Sequence, residues 1–270
     1  MTPKRTRKYN LHTPKWHNGV ALGIRILHTN DMHGTLTPTV FSVLVELRND
    51  AHLYFDSGDA IKTGNLGIPL KPEPVWPLLE RLNCTASLLG NRETHILESA
   101  FKAKLAGASH PILCANLRKK DGSYPLPRLL KLEVNGYKVG VIGVMVPMVT
   151  EQMATKSASA YLWDQPIPTA CQLAEELRSE VDLLICLTHI GHRQDLDLAA
   201  KCQSIDVILG GHSHTVLPEP VHVGKVAICQ GGSHNKYAGV YEWSPEHGLV
   251  GGPEPLALLM VRAKGRGGRG

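Results

Sequence analysis

Five short segments of this 270-residue chain combine small residues with Asp, Asn or His. They are Asn30-Asp31-Met32-His33-Gly34, Asp56-Ser57-Gly58-Asp59, Gly90-Asn91-Arg92-Glu93, His189 with His192, and Gly210-Gly211-His212-Ser213-His214. Carboxylate, amide and imidazole donors without a thiolate suit borderline-hard divalent ions: Mn, Zn, Fe, Co or Ni. Asp31 and His33 lie two apart, so an extended segment puts them on one side, where they could clasp one ion; His212 and His214 repeat the spacing. Seven to eight candidate ligands are too many for one tetrahedral ion. They fit two ions about 3.5–4 Å apart that share a carboxylate. Gly34, Gly58, Gly90, Gly210 and Gly211 let the backbone turn sharply and approach such ions closely. Each segment alone has an ordinary reading as a turn or strand end, and a lone His such as His28, His52 or His222 reads as a surface or satisfied residue. The weight lies in all five occurring together.

Each segment follows a short apolar run, at 24–28, 52–55, 87–89, 183–187 and 207–209, and further runs occur at 112–115 and 226–229. These runs predict strands. Helical spacing appears over 40–47 (Val40, Leu44, Leu47), over 94–106 (Leu97, Phe101, Leu105) and over 169–178 (Cys171, Leu173, Ala174, Leu177). Asn135-Gly136 between two extended runs over 129–146 predicts a hairpin. Segments 236–243 and 256–262 predict a strand-rich end, and 119–128 and 152–169 read as loops. Strand–helix alternation with a hairpin indicates an α/β layered fold with a mixed sheet. Ligands of such sheets bind at the carboxyl ends of strands, so the five segments should converge.

The strings ILHTNDMHG, FDSGD, LGNRE, CANL, LTHIGH and GGHSH together resemble the calcineurin-like metallophosphoesterases, within them the 5′-nucleotidase and cyclic-nucleotide phosphodiesterase branch. The match runs from about Ile24 to Tyr237. The resemblance implies a four-layer α-β-β-α sandwich of two mixed β-sheets. By motif position it assigns Asp31, His33 and His214 to a first metal, and Asn91, His189 and His212 to a second. Asp59 would bridge the two ions, Asp56 would support that loop by hydrogen bonding, and Asn91 and Arg92 would meet substrate. The implied cofactors are two divalent metal ions. The implied reaction is hydrolysis of a small phosphoester, a phosphatase acting on nucleotides or other small phosphomonoesters. A cyclic-nucleotide phosphodiesterase and a catalytically weak metal-binding protein are the alternatives.

The chain departs from the family pattern at one step. Relatives usually read Gly-Asn-His-Glu, with the His as leaving-group acid or transition-state stabiliser paired to an Asp a few residues on. Here Arg92 replaces that His, and His95 falls where the Asp would be. An arginine, with its pKa above about 12, donates no proton at neutral pH, yet it can clamp phosphate oxygens. Three readings follow: Arg92 acts electrostatically, His95 supplies the proton, or only good leaving groups are hydrolysed. The resemblance covers the catalytic domain only, placed at 21–262 between a basic tail (1–20), expected to be disordered, and a Gly/Arg-rich tail (263–270). The nucleotidase branch normally continues into a separate aromatic-bearing domain; these 270 residues offer no aromatic-rich segment for it, so the resemblance does not by itself imply a preference for nucleotides. Trp76, Tyr161 and Trp163 are candidates for stacking on a base or for core packing.

Composition narrows the class. Net charge is +5, from 29 basic and 24 acidic residues. Five of the basic residues fall in 1–15 and four in 262–270, segments without acids, which leaves 20 basic against 24 acidic in between, net −4. That body is not built to grip nucleic acid. No stretch approaches the roughly 20 apolar residues of a membrane span. The six cysteines are scattered, with no Cys-x-x-Cys pair, and read as buried thiols in a reducing compartment. With no apolar segment after the basic start, the expectation is a cytoplasmic protein, or an exported one if the true start lies elsewhere.

Overall fold

The computed structural model describes residues 23–260, so both predicted tails lie outside the described residues. Along the chain come β1 (Ile24–Thr29), α1 (Pro38–Asn49), β2 (Leu53–Asp56), α2 (Val75–Arg81), β3 (Ala86–Leu88), α3 (Glu98–Leu105) and β4 (Ile112–Leu113). Then follow β5 (Leu117–Lys119), β6 (Leu129–Val134), β7 (Tyr137–Met145), β8 (Tyr161–Trp163), α4 (Pro166–Leu177) and β9 (Leu183–His189). The last part holds α5 (His192–Lys201), β10 (Val207–Gly210), β11 (Val221–Val223), β12 (Val226–Cys229), β13 (Tyr237–Ser244) and β14 (Gly248–Pro255).

Two six-stranded sheets form, in the orders β14-β13-β1-β2-β3-β4 and β11-β12-β10-β9-β7-β6, and β5 and β8 pair separately. Each sheet is mixed. In the first, β1 to β4 run parallel, β13 is antiparallel to β1, and β14 pairs antiparallel with β13; in the second, β7, β9, β10 and β12 run parallel while β6 and β11 are antiparallel to their neighbours. Alternation along the strands explains the layering. Ile24, Ile26, Leu53 and Phe55 of the first sheet meet Leu183, Ile185, Leu187, Val207 and Leu209 of the second in one core. The intervening residues face outward. Leu27 and Tyr54 pack on α1 to α3 through Val40, Leu44, Trp76, Leu79 and Phe101. Leu184, Cys186 and Ile208 pack on α4 and α5 through Ala170, Leu173, Leu177 and Leu198. Sheets covered on both faces need apolar residues at nearly every position, which is what these runs supply. The result is the four-layer arrangement anticipated from the sequence.

Several boundaries differ from expectation. Helix α3 starts at Glu98 instead of near 94, because Thr94 N–H bonds Asn91 O (3.2 Å) in a turn and the His95 ring receives Leu97 N–H (3.0 Å). Helices α2 and α5 were hidden: Pro77 sits in the first turn of α2, where it costs no helical bond, and α5 turns a buried Asp195 inward among its apolar residues. The last strand is the Gly- and Pro-bearing β14, an edge position where Pro is tolerated, whereas 256–260 is helical, not extended. The segment read as a loop over 152–169 holds β8 and the start of α4. Of the six cysteines, all are free and five are buried. Trp76, Tyr161 and Trp163 are core residues, each no more than 2% exposed. No helix among the described residues is long and apolar enough to cross a membrane.

Candidate metal centre

The five segments converge, and they come from both sheets. Asp31, Asp59 and Asn91 follow β1, β2 and β3 of the first sheet; His189 ends β9, and His212 and His214 follow β10 of the second. The site therefore spans the carboxyl edges of two sheets. Backbone bonds tie the loops to one another: Asp31 N–H to Gly58 O (3.0 Å), His33 N–H to Asp59 O (2.8 Å) and Gly34 N–H to Ala60 O (2.9 Å). Five candidate ligands have left-handed backbone: Asp31 (φ 51°), His33 (50°), Asp59 (56°), His212 (77°) and His214 (55°). Asp and His tolerate this region better than most residues, and turning there aims consecutive side chains inward.

Two donor groups result. In one, His33 Nε2 and His214 Nε2 lie 3.0 Å apart, and Asp31 Oδ1 lies 3.6 and 3.3 Å from them. In the other, Asn91 Oδ1 lies 3.0 Å from both His189 Nε2 and His212 Nδ1, and Asp59 Oδ1 lies 3.5 Å from His189 Nε2. Asp31 belongs to two candidate ion-binding triplets, one with His33 and His214, the other with Asp59 and His189. Asp31, Asp59 and His189 form a buried floor, and His212 and His214 are exposed at the rim.

The donor set fits divalent ions on two observations. Asp31 Oδ2 accepts from Asn30 Nδ2 (2.8 Å) and His212 N–H (2.9 Å), while Oδ1 is buried without a hydrogen-bond partner and faces the two imidazoles. Ser57 O accepts from His189 Nδ1 (2.7 Å), which fixes that tautomer and leaves Nε2 free to ligate. Burial works against ionising Asp31, but the His33 imidazole 3.6 Å away, the charge of His189 and the Asn30 bond outweigh it and pull the carboxyl down to about 2. Burial likewise opposes charge on His189, and the Asp59 carboxylate 3.5 Å away raises the imidazole to about 9, so an ion held at Nε2 would take the place of that proton.

Supporting residues surround these donors. Glu93 accepts from Asp59 N–H (3.0 Å), Gly90 N–H (3.0 Å) and Ile61 N–H (3.1 Å), stapling the β2 and β3 loops; burial and the Asp59 charge raise its carboxyl to about 7. Gly90 sits so close that a Cβ there would lie 2.2 Å from Asp59 N, which makes glycine obligatory. Asn65 Oδ1 accepts from Asn91 Nδ2 (3.0 Å), turning Asn91 Oδ1 towards His189 and His212. Asp56 accepts from Thr29 Oγ1 (2.7 Å) and Gly58 N–H (3.1 Å), the supporting role expected of it. Beneath the floor, His28 Nε2 meets Ser57 Oγ (2.9 Å), which donates to Leu209 O (2.7 Å).

Arg92 donates its N–H to Asp59 Oδ1 (2.7 Å), sets its Nε 3.8 Å from Asp59 Oδ2, and donates from Nη1 to Lys62 O (3.0 Å). His95 is engaged locally, by Leu97 N–H and the backbone of Leu66. His192 opens α5 with its N–H on Ser213 Oγ (3.0 Å) and lies in neither donor group. The sequence reading passed over His234, which stacks on His33 with centroids 4.7 Å apart and donates its N–H to Asp31 O (2.8 Å). A signal was available: Gly231-Gly232-Ser233-His234 follows β12 much as Gly210-Gly211-His212 follows β10. Asn65 and Lys104, by contrast, carry no local pattern.

No model of a known protein family matches the chain. It is 26% identical over 238 residues to the uncharacterized metallophosphoesterase YunD of Bacillus subtilis, covering 81% of this chain and 49% of YunD. It is 37% identical over 239 residues to the trifunctional nucleotide phosphoesterase protein YfkN of Bacillus subtilis, covering 72% of this chain and 16% of YfkN. The solved calcineurin-like phosphoesterase YfkN of Bacillus subtilis superposes with a TM-score of 0.69 at 20% identity, covering 91% of this chain and 96% of that one. The chain spans about half or less of the length of the curated relatives it matches. 5′-Nucleotidases are among its further relatives. The chain belongs to the calcineurin-like metallophosphoesterases, in the branch that holds the 5′-nucleotidases.

Proposed function

We propose that this metallophosphoesterase hydrolyses small phosphomonoesters, nucleotides foremost, with two divalent ions. The observation that carries the reading is the pair of facing donor groups, with Asp31 Oδ1 buried and unpartnered between two imidazoles. Asp31, His33 and His214 would hold one ion; Asn91, His189 and His212 would hold the other; Asp59, on the floor beside His189, would touch both. Asp31, shared by both triplets, could serve either ion. When bound, the ions' chemistry is Lewis-acid polarisation of a phosphoryl oxygen and acidification of an attacking water.

The chain's own residues do the rest. Arg92, partly exposed and steered by Asp59 and Lys62 O, presents a guanidinium that can clamp phosphoryl oxygens and stabilise the charge that develops on them. It transfers no proton. His95, engaged by the backbone of Leu97 and Leu66, is placed less well for the leaving group than Arg92 is for the phosphoryl oxygens. The leaving alcohol is thus neutralised by charge more than by a protein acid, which favours esters with stable leaving groups.

The test reconstitutes the full chain with Mn²⁺, Zn²⁺, Fe²⁺, Co²⁺ or Ni²⁺. Nucleoside monophosphates, cyclic nucleotides, sugar phosphates, p-nitrophenyl phosphate and its bis ester are then assayed. Metal-dependent hydrolysis of monoesters is the expected result, fastest for p-nitrophenyl phosphate because of its leaving group and, among the esters of ordinary alcohols, for nucleotides. Failure to take up stoichiometric metal, or no turnover of any ester when loaded, overturns the reading; preference for cyclic nucleotides or the bis ester turns it into a phosphodiesterase.

A further inference from the structure

Lys104 ends α3 fully buried, and its Nζ donates to four backbone carbonyls: Gly64 O (2.9 Å), Asn65 O (3.0 Å), Arg92 O (2.6 Å) and Thr94 O (2.9 Å). Two acceptors belong to the loop between β2 and α2, and two to the loop between β3 and α3. An ammonium has three N–H groups, so four converging oxygens exhaust it. Burying an ammonium is expensive, and none of these acceptors is a carboxylate. Burial pushes the amine down to about 8, with the charges of Glu93, Glu73 and Asp59 opposing that shift, so it is still protonated at neutral pH. The helix that delivers it is itself fixed, since Trp76 Nε1 donates to Lys104 O (2.8 Å).

Near the strand ends Glu93 already joins these loops through Asp59 and Ile61 N–H, and Arg92 N–H joins them through Asp59 Oδ1. Farther out, the 62–67 stretch meets the other loop at two side-chain contacts, and both involve the site. Asn91 Nδ2 donates to Asn65 Oδ1 (3.0 Å), and Arg92 Nη1 donates to Lys62 O (3.0 Å). Neither contact holds if the loops drift apart. An apolar side chain of similar length would fill the same space at lower desolvation cost, yet it could not hold four carbonyls at once.

We propose that Lys104 is a positioning residue, whose ammonium clamps the loop carrying Asn91 and Arg92 onto the 62–67 loop and so sets the Asn91 ligand oxygen and the Arg92 guanidinium. The consequence for catalysis rests on the phosphoesterase reading above; the clamp itself does not.

The test compares the full chain with Lys104→Met, Lys104→Gln and Lys104→Ala. The first readout is amide hydrogen exchange of the metal-free protein. Arg92 N–H, bonded to Asp59 Oδ1, should exchange about tenfold faster or more in Lys104→Met, while Ile208 and Leu184 of the second sheet stay protected. Lys104→Gln, which keeps two N–H donors, should fall between wild type and Lys104→Met, and it bears the test if the Met variant does not fold. The second readout is metal titration: one ion should weaken about tenfold, within the range for lost outer partners, while the other holds as before. The third is kinetic, with kcat falling and KM little changed. Adding propylammonium to Lys104→Ala, which supplies the missing carbons and ammonium, should restore both protection and kcat. Wild-type Arg92 protection in Lys104→Met, loss of protection spread evenly over the molecule, or no rescue by propylammonium overturns the proposal. If the wild type itself neither binds metal nor turns over, the phosphoesterase reading fails, and the exchange data still decide the role of Lys104.

Discussion

The two halves of the metal centre are built differently. Around Asp31, His33 and His214, all three donors stand on left-handed backbone, and the loop-to-loop bonds of Asp31 and His33 are made by main chain. Around Asn91, His189 and His212 only His212 is left-handed, and partners outside the ligands do the aiming: the Ser57 main-chain carbonyl is on the His189 ring, the Asn65 side chain on the Asn91 amide, and Glu93 on the loop of Asp59. The first half is written into the conformation of its own residues. The second borrows its geometry from neighbours far away in sequence, so it should be the easier half to disturb.

The largest test is Asp59→Asn. Losing this carboxylate should release the second ion, keep the first, and lower kcat on the order of 1000-fold, since metal charge stabilisation is worth several kcal/mol. Loss of both ions together, read by metal analysis, would dissolve the distinction between the halves. Arg92→Ala comes next, with kcat down about 100-fold and both ions retained. Unchanged turnover would remove Arg92 from the chemistry. Asn65→Ala touches only the second half, and should weaken one ion about tenfold in a metal titration without altering the other. The smallest effect lies beneath the floor. Burial holds His28 neutral down to about pH 3, despite the opposing charge of Asp31, whereas an unfolded imidazole gains its proton near 6.5. The unfolded state therefore binds more protons across that window, so the contribution is intact above 6.5 and drains away as pH falls. In denaturant unfolding of the metal-free protein, His28→Gln should reduce the stability lost between pH 7 and pH 4 by about 3 kcal/mol.

Legibility followed the same divide. Asp31 with His33 and His212 with His214 could be picked by residue type and spacing, but not because their segments are extended: their backbone is left-handed instead, and His212 and His214 fall in different donor groups. Strand runs with an Asn-Gly turn located most of both sheets. That the site would straddle two sheets was not visible, because strand order depends on long-range pairing such as β1 with β13. Helix α5 escaped since its buried Asp195 interrupts the apolar face, and β14 escaped since an edge strand can carry Gly and Pro. Asn65, Glu73 and Lys104 act through tertiary contacts to main-chain atoms or amides, and nothing in their immediate neighbours announces that. Arg92 was the reverse case: its oddity was plain in sequence, and the structure supplied its partners.

The left-handed ligands have a further consequence. Holding a non-glycine residue in that conformation costs about 1 kcal/mol even for a tolerant side chain. Five such residues thus draw on a folding margin that for most domains is only about 5–15 kcal/mol. Replacing His212 or His214, whose rings are exposed, by glycine should make the metal-free chain harder to melt while crippling it as a receptor for ions; Asp31 and Asp59 also anchor buried N–H groups and would lose more than they gain. Selection for robustness and selection for activity therefore pull the two exposed histidines in opposite directions, and a descendant that abandoned its chemistry would drift towards glycine there first.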